Sequence, residues 1–421
     1  MSTPVRRRTL LVGGAATAAL TLPTVTAQAG DRGSGGRTTF TLNAETLDGG
    51  EQVVALTLNT AGLGPIDPRS LTAATFSVHV KATSPIDVPA TDIYSVYDLD
   101  RTVTAARLDR RGNIVLDLEY AEGVVGGGTL GYIVSLARNV RLDLAYTVTQ
   151  NAPLKLRNGR SLTLSRLVQG KLSNPEVDAF GYAATDDLKY RLYAPRDGRR
   201  GDRRPLIVWL HGGGEGGALA QGYYDNETTL RANRGALGFA TPEAQRIFGG
   251  AYVVAPQSTS YWIEDGDAFA PMIADVIAEV ARRHPIDRDR IHVVGCSNGG
   301  YMTMKMTVEY PRAFAAAVPI CGVVAPFRTT EPMITDAELK SIRTPTWLVA
   351  SADDTTVDPV TNSVHAHDLI ARSYLSLYDH VMWNGHQFAG HWSWIYVARN
   401  DPSRRGQHIW QWMAQQSTRR H

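Results

Sequence analysis

Two patterns of hydrophobic spacing divide the chain. From Thr38 onward, apolar positions recur every second residue. Phe76, Val78 and Val80 alternate with Ser77, His79 and Lys81, and Leu116, Leu118 and Tyr120 alternate with Asp117 and Glu119. Successive side chains of a strand point to opposite faces, so this spacing predicts half-buried strands. Asn158-Gly159, set between Leu154/Leu156 and Leu162/Leu164, predicts a hairpin with a type I′ turn. Short strands separated by turn residues, with no helical period, predict an all-β sandwich of Ig-like size over about residues 38–170.

The second pattern begins near Asp178. Tyr190–Tyr193 reads as an opening strand. Leu206–Leu210 (LIVWL), Ala251–Val254, Ile291–Val294, Ala315–Ile320 and Thr346–Ala350 are continuous apolar runs. Between them, Met272, Ile273, Val276, Ile277 and Val280 share one helical face, and Gly299–Tyr310 reads as another helix. Apolar strands alternating with helices predict a mostly parallel sheet covered on both faces, an α/β fold over residues 178–421.

The ends and the composition narrow the setting. Arg6, Arg7 and Arg8, the uncharged run Leu10–Leu22 and the small-residue site Ala27-Gln28-Ala29 read as an export signal over residues 1–29. Arg7-Arg8-Thr9-Leu10-Leu11 fits the twin-arginine pattern, which implies secretion in the folded state. Residues 30–37 read as a Gly-rich linker. The apolar run is too short for a membrane anchor, and no later segment is long enough to span. Without the signal, which holds three of the 43 basic residues and none of the 41 acidic ones, the formal charge is −1. That removes any basic excess for nucleic acid or anionic lipid as a partner. Cys296 and Cys321 are the two cysteines, too few for a disulfide scaffold or a cysteine-rich metal site. They end neighbouring predicted strands, so they are expected to lie close together, either bonded or as buried thiols.

The chemistry concentrates in four short stretches. Gly295-Cys296-Ser297-Asn298-Gly299-Gly300 follows a strand and opens a helix, the context in which G-x-S-x-G marks a nucleophilic serine. His211-Gly212-Gly213-Gly214-Glu215-Gly216-Gly217 follows Leu206–Leu210; its glycines let backbone N–H groups approach a developing oxyanion. Gly213 and Asn298 are the expected donors, and His211 a histidine that holds the loop. A serine needs a base and the base an acid, in the chain order Ser, Asp, His. After Thr346–Ala350 the acid is Asp353 or Asp354. The base is His386 or His391, in the loop after an expected strand at Tyr374–Trp383; His408 reads as a surface residue at the start of a terminal helix. Trp262, Trp383, Trp392 and Trp394 fall in loops at this edge, and Trp262 and Trp392 are the expected substrate-binding pair. No H-E-x-x-H or Cys/His cluster points to a metal, and no cofactor is implied.

These residues carry a resemblance. The stretch from Asp178 onward resembles secreted α/β-hydrolase serine esterases of the poly(3-hydroxyalkanoate) depolymerase-like and feruloyl-esterase-like group, often filed with prolyl-oligopeptidase-like serine hydrolases. LHGGGEGG at 210–217, GCSNGG at 295–300, ADDTTV at 352–357 and GHWSW at 390–394 carry the likeness. The β-rich front resembles the Ig-like domain that precedes the catalytic domain in some of these esterases. The resemblance implies an α/β-hydrolase fold, Ser297 as nucleophile, Asp354 as acid three residues before Val357, and His391 as base. Where the family often has a glycine ahead of the acid, this chain has Ser351-Ala352-Asp353. The implied substrate is a carboxylic ester, small or polymeric. A prolyl-oligopeptidase-like peptidase and a non-catalytic binding protein on a hydrolase scaffold are the alternatives.

Overall fold

The computed structural model describes residues 37–195 and 202–420; the expected export signal and all but the last residue of the linker lie outside them. The first region holds strands β1 (Arg37–Leu47), β2 (Gly50–Leu58), β3 (Phe76–Thr83), β4 (Tyr97–Arg101), β5 (Val103–Leu108) and β6 (Ile114–Leu118). Then come β7 (Leu130–Ile133), β8 (Arg138–Arg141), β9 (Asp143–Gln150) and β10 (Arg166–Ser173). They form a five-stranded sheet, β10-β1-β2-β6-β5, and a three-stranded sheet, β9-β3-β4. Phe76, Val78 and Val80 of β3 are buried and join Phe40, Leu42, Leu56, Leu116 and Leu118 of the larger sheet in one core. The alternation read from sequence is therefore the physical device of this region: every second side chain fills the space between the sheets.

Two details differ from the sequence reading. Tyr120 lies past the end of β6 and is exposed, so the period of two stops at Leu118. The hairpin at Asn158-Gly159 forms, with Leu154 opposite Leu162. Gly159 alone has positive φ (82°), and the Leu156 N–H donates to the Arg160 carbonyl. That is a three-residue loop with one left-handed glycine, not the type I′ turn, which needs positive φ at both central positions.

The second region is built on an eight-stranded sheet. Its strands are β11 (Phe180–Ala184), β12 (Lys189–Tyr193), β13 (Arg204–Leu210), β14 (Tyr252–Pro256), β15 (Ile286–Cys296), β16 (Ala316–Ile320), β17 (Thr346–Ser351) and β18 (Ser373–Tyr378). The order is β11-β12-β14-β13-β15-β16-β17-β18. The pairings from β14 to β18 are parallel, and β11 and β12 are antiparallel. Leu206, Val208 and Leu210 enter the core on one face, while Ile207 and Trp209 enter the core on the other. Helices α1 (Gly266–Arg283) and α2 (Asn298–Glu309) cover the first face and α3 (Ile409–Ala414) the second. Burial on both faces is why these strands read as unbroken apolar runs. The stretch 374–383 is not one strand: β18 ends at Tyr378 and a separate hairpin, Val381–Trp383 with His386–Phe388, follows.

The chain leaves β13 for β14 on one side and returns to β15 on the other. The strand order thus reverses at β13, and the loops after β13 and β15 lie side by side at the carboxyl ends of the strands. Such a switch point is where open α/β sheets bind ligands. Both regions belong to one compact unit, Arg37–His421.

Candidate active site

Ser297 stands between the end of β15 and the start of α2, with φ 54° and ψ −114°. A non-glycine residue adopts this strained conformation only where the surroundings hold it. Its N–H donates to the Ile320 carbonyl on β16 at 2.8 Å. The glycines make the turn possible by close approach: a Cβ on Gly299 would stand 2.0 Å from the Leu210 carbonyl oxygen. Asn298, the first helical residue, has no carbonyl within its own helix for its N–H. Its side-chain oxygen accepts from the Ile263 N–H at 3.1 Å, which fixes the residue in place.

The loop after β13 is held from beneath by His211, which is buried. Its Nδ1–H donates to the Gly212 carbonyl at 2.7 Å, and its Nε2 accepts from the Ser258 N–H at 3.0 Å. Burial pushes its pKa down to about 3, so it stays neutral. In a trans peptide the N–H points opposite to the C=O, so tying the Gly212 carbonyl to His211 also fixes the direction of the Gly213 N–H. Glu215 is buried in the same loop, with Oε2 unpartnered among the described residues and 4.0 Å from His211 Nδ1. Burial raises its pKa to about 7, against the pull of the Gly212 N–H and of Arg138.

After β17 the two aspartates diverge. Asp354 Oδ1 accepts from the N–H groups of Thr356 (2.8 Å) and Val357 (3.0 Å), while Oδ2 accepts from His391 Nδ1 at 2.8 Å. The Asp354 side chain is fully buried and that of His391 is 12% exposed, which shields the pair from water. Burial disfavours the imidazolium, the Asp354 carboxylate on Nδ1 favours it, and the net effect is a raised pKa for His391. Asp353 instead accepts from the Ser351 hydroxyl at 2.5 Å and from His380 Nδ1 at 3.0 Å. His386 packs against Phe388 and faces Gly123 of the all-β region. His408 donates to the Asn400 carbonyl.

Ser297, Asn298, Gly213 and His391 line one cavity of about 1100 Å³. Trp392 and Trp394 line it too. Trp262 does not. It is wholly buried beneath the glycine loop, its indole N–H donating to the His211 carbonyl at 3.2 Å and its ring packing on His211 and Phe269. The expectation that Trp262 binds substrate is therefore corrected. Nearness to the motif in sequence brought it under the loop, where an apolar ring with one N–H supports the backbone. Cys296 and Cys321 are both buried free thiols, and Cys321 donates to the His391 carbonyl at 3.2 Å. The sulfur, carboxylate and imidazole atoms of Cys321, Asp354 and His391 lie within 4.8 Å of one another. Each already has a hydrogen-bond partner, so the arrangement fits an acid–histidine pair with a thiol beneath it.

The sequence reading missed the wall opposite. Tyr132 and Asn139 of the all-β region and Tyr261 line the cavity. The loops 48–50 and 121–126 brace the histidine loop: Gly49 packs by Trp392, and Asp48 pairs with Arg399 at 2.8 Å. One local signal existed. Strand β8 places Arg138 at an inward position, where a period-two pattern calls for an apolar residue.

Residues 264–332 match the model of the Prolyl oligopeptidase family. Poly(3-hydroxyalkanoate) depolymerase C of Paucimonas lemoignei is 37% identical over 84 residues, 17% of this chain and 20% of that protein. Acetylxylan esterase A of Emericella nidulans is 29% identical over 183 residues, 42% of this chain and 57% of that protein. The matches thus span only a fifth to somewhat over half of these relatives' own lengths. The crystal structure of a thermostable esterase superposes with a TM-score of 0.72 at 24% identity, covering 90% of this chain and 99% of that one. The chain has the α/β-hydrolase fold.

Proposed function

We propose that the protein is a serine esterase that cleaves carboxylic esters through an acyl-enzyme, with Ser297, His391 and Asp354 as its triad. The observation that carries this reading is the buried Asp354–His391 pair, 2.8 Å apart, opening on the same cavity as the strained Ser297. With Nδ1–H donated to Asp354, a neutral His391 keeps its lone pair on Nε2, the nitrogen able to take a hydroxyl proton. Ser297 Oγ attacks the ester carbonyl as His391 takes its proton. Asp354 stabilises the resulting imidazolium, and the N–H groups of Gly213 and Asn298 receive the oxyanion. His391 then returns the proton to the leaving alkoxide. Water, deprotonated by the same histidine, releases the acid. No step calls for a cofactor. Trp392 and Trp394 offer an apolar wall for the acyl or aryl group. Export through the twin-arginine route is part of the same reading, supported by residues 6–29 of the sequence.

A second reading, a prolyl-oligopeptidase-like peptidase, draws on the family match over residues 264–332. One experiment separates the two: a panel of short p-nitrophenyl esters, aryl cinnamates, polyesters and peptide amides, with a fluorophosphonate label at Ser297. Esters are expected to turn over faster than any amide. Faster amide cleavage favours the peptidase, and a Ser297→Ala variant that still takes the label sinks both.

A further inference from the structure

Three consecutive glycines, 212–214, and the pair Gly216-Gly217 leave the loop 211–217 after β13 with two side chains to anchor it, His211 and Glu215. Glycine backbone loses the most freedom on ordering, so such a loop needs external holds on its carbonyls. His211 supplies one at Gly212. The other holds come from across the molecule. Arg138, on β8 of the all-β region, reaches over with Nη1 donating to the Gly213 carbonyl at 2.8 Å and Nε donating to the Gly217 carbonyl at 3.1 Å. Its guanidinium lies 3.3 Å from the centre of the Tyr261 ring, and the Tyr261 hydroxyl returns to the Leu136 carbonyl at 2.8 Å.

Arg138 is 3% exposed, and burial lowers its pKa. Among the described residues its hydrogen bonds end on carbonyls and not on a carboxylate. A buried cation without a hydrogen-bonded anion is costly, and an apolar side chain of similar bulk would pack the same seam at less expense. The fork of the guanidinium does what an apolar chain cannot: it sets two carbonyls of one loop at a fixed spacing. Each peptide is planar, so the His211 hold on the Gly212 carbonyl sets the peptide that carries the Gly213 N–H, and the Arg138 hold on the Gly213 carbonyl sets the next one; with both planes held, the glycine between them cannot swing its N–H away from the cavity.

We propose that Arg138 is a positioning residue for the oxyanion loop, so that the all-β region takes part in catalysis through a side chain of its own. The inference rests on the esterase reading and on Gly213 as an oxyanion donor. It is tested on the full chain with a short p-nitrophenyl ester. Arg138→Lys keeps charge and most of the bulk but loses the fork. Its kcat is expected to fall about tenfold with KM within about twofold, since a displaced donor weakens the transition state more than substrate binding. Arg138→Ala is expected to lose up to about 100-fold, and guanidinium ion at non-denaturing concentration to restore part of kcat by refilling the space. Glu176→Gln serves as the control: it breaks the Glu176–Arg234 pair, 2.6 Å, near the same seam and away from the cavity. It is expected to lower Tm and leave kcat unchanged. Wild-type kcat in Arg138→Lys, or a loss in Arg138→Ala that guanidinium leaves untouched, overturns the proposal. Turnover surviving Ser297→Ala would show instead that the esterase reading itself is wrong.

Discussion

The two regions bury their apolar residues in different ways, and the difference explains where each can contribute to a site. Strand β3 of the all-β region hides one face and exposes the other. Its strands are joined by turns and loops, of which 48–50 and 121–126 project to the rim of the cavity. Strand β13 of the α/β region is buried on both faces, with helices over each. Only the carboxyl ends of its strands remain open, so Ser297, His391 and the glycine loop collect there. The cavity lies where the open end of one region meets the projecting loops of the other. In the proposed mechanism the chemistry belongs to the first and the shape of the wall to the second, with Arg138 as the crossing point.

The largest effect expected from breaking this contrast is at Ser297. Ser297→Ala should cut ester turnover by on the order of 10⁴-fold or more with an unchanged melting temperature, as triad deletions do. A loss below tenfold would remove the chemistry from the α/β edge.

Next come the paired aspartates. Asp354→Asn is expected to lower kcat by on the order of 10³- to 10⁴-fold, while Asp353→Asn, whose carboxylate faces His380, stays within about tenfold. The pH profile sharpens this. The proposed mechanism requires neutral His391, and the Asp354 carboxylate on Nδ1 raises its pKa against the effect of burial. The wild type should therefore gain activity as pH rises past the ordinary imidazole range. In Asp354→Asn that raising influence is gone, and the residual activity should reach its plateau at lower pH. An acidic limb that does not move would separate Asp354 from the base.

The tryptophans test wall against core within one region. Trp262→Phe removes the hydrogen bond to the buried His211 carbonyl and is expected to cost about 1–3 kcal/mol in urea unfolding with little change in KM. Trp392→Ala should do the reverse, raising KM for aryl esters several-fold. Equal KM effects from both would return Trp262 to the cavity.

The smallest effect is expected from the all-β wall. Tyr132→Ala should raise KM for bulky esters by about threefold to tenfold and leave kcat for the shortest ester as it is, because it removes contact and no reacting group. A matching fall in kcat on every ester would mean that the all-β region supports the loop through more than Arg138.

Much of this architecture was legible in the residues themselves, because it depends on neighbours in sequence. Period two along Phe76–Val80 and unbroken apolar runs such as Leu206–Leu210 follow from how many faces of a strand are covered. The Ser297 turn is legible for the same reason: close backbone approach of helix α2 to strands β13 and β15 demands glycine at 295 and 299, and those glycines stand beside the serine. Other features depended on contacts between residues far apart in the chain. Asp353 and Asp354 are equivalent in sequence, yet a one-residue step turns one toward His380 and the other toward His391. His386 and His391 each follow a glycine, and only the hairpin Val381–Phe388 turned the first toward Phe388. Trp262 was drawn under the glycine loop because the His211 carbonyl needed a donor there. The reach of Arg138 to Gly213, 75 residues away, is set by the packing of one region on the other, which no local pattern encodes.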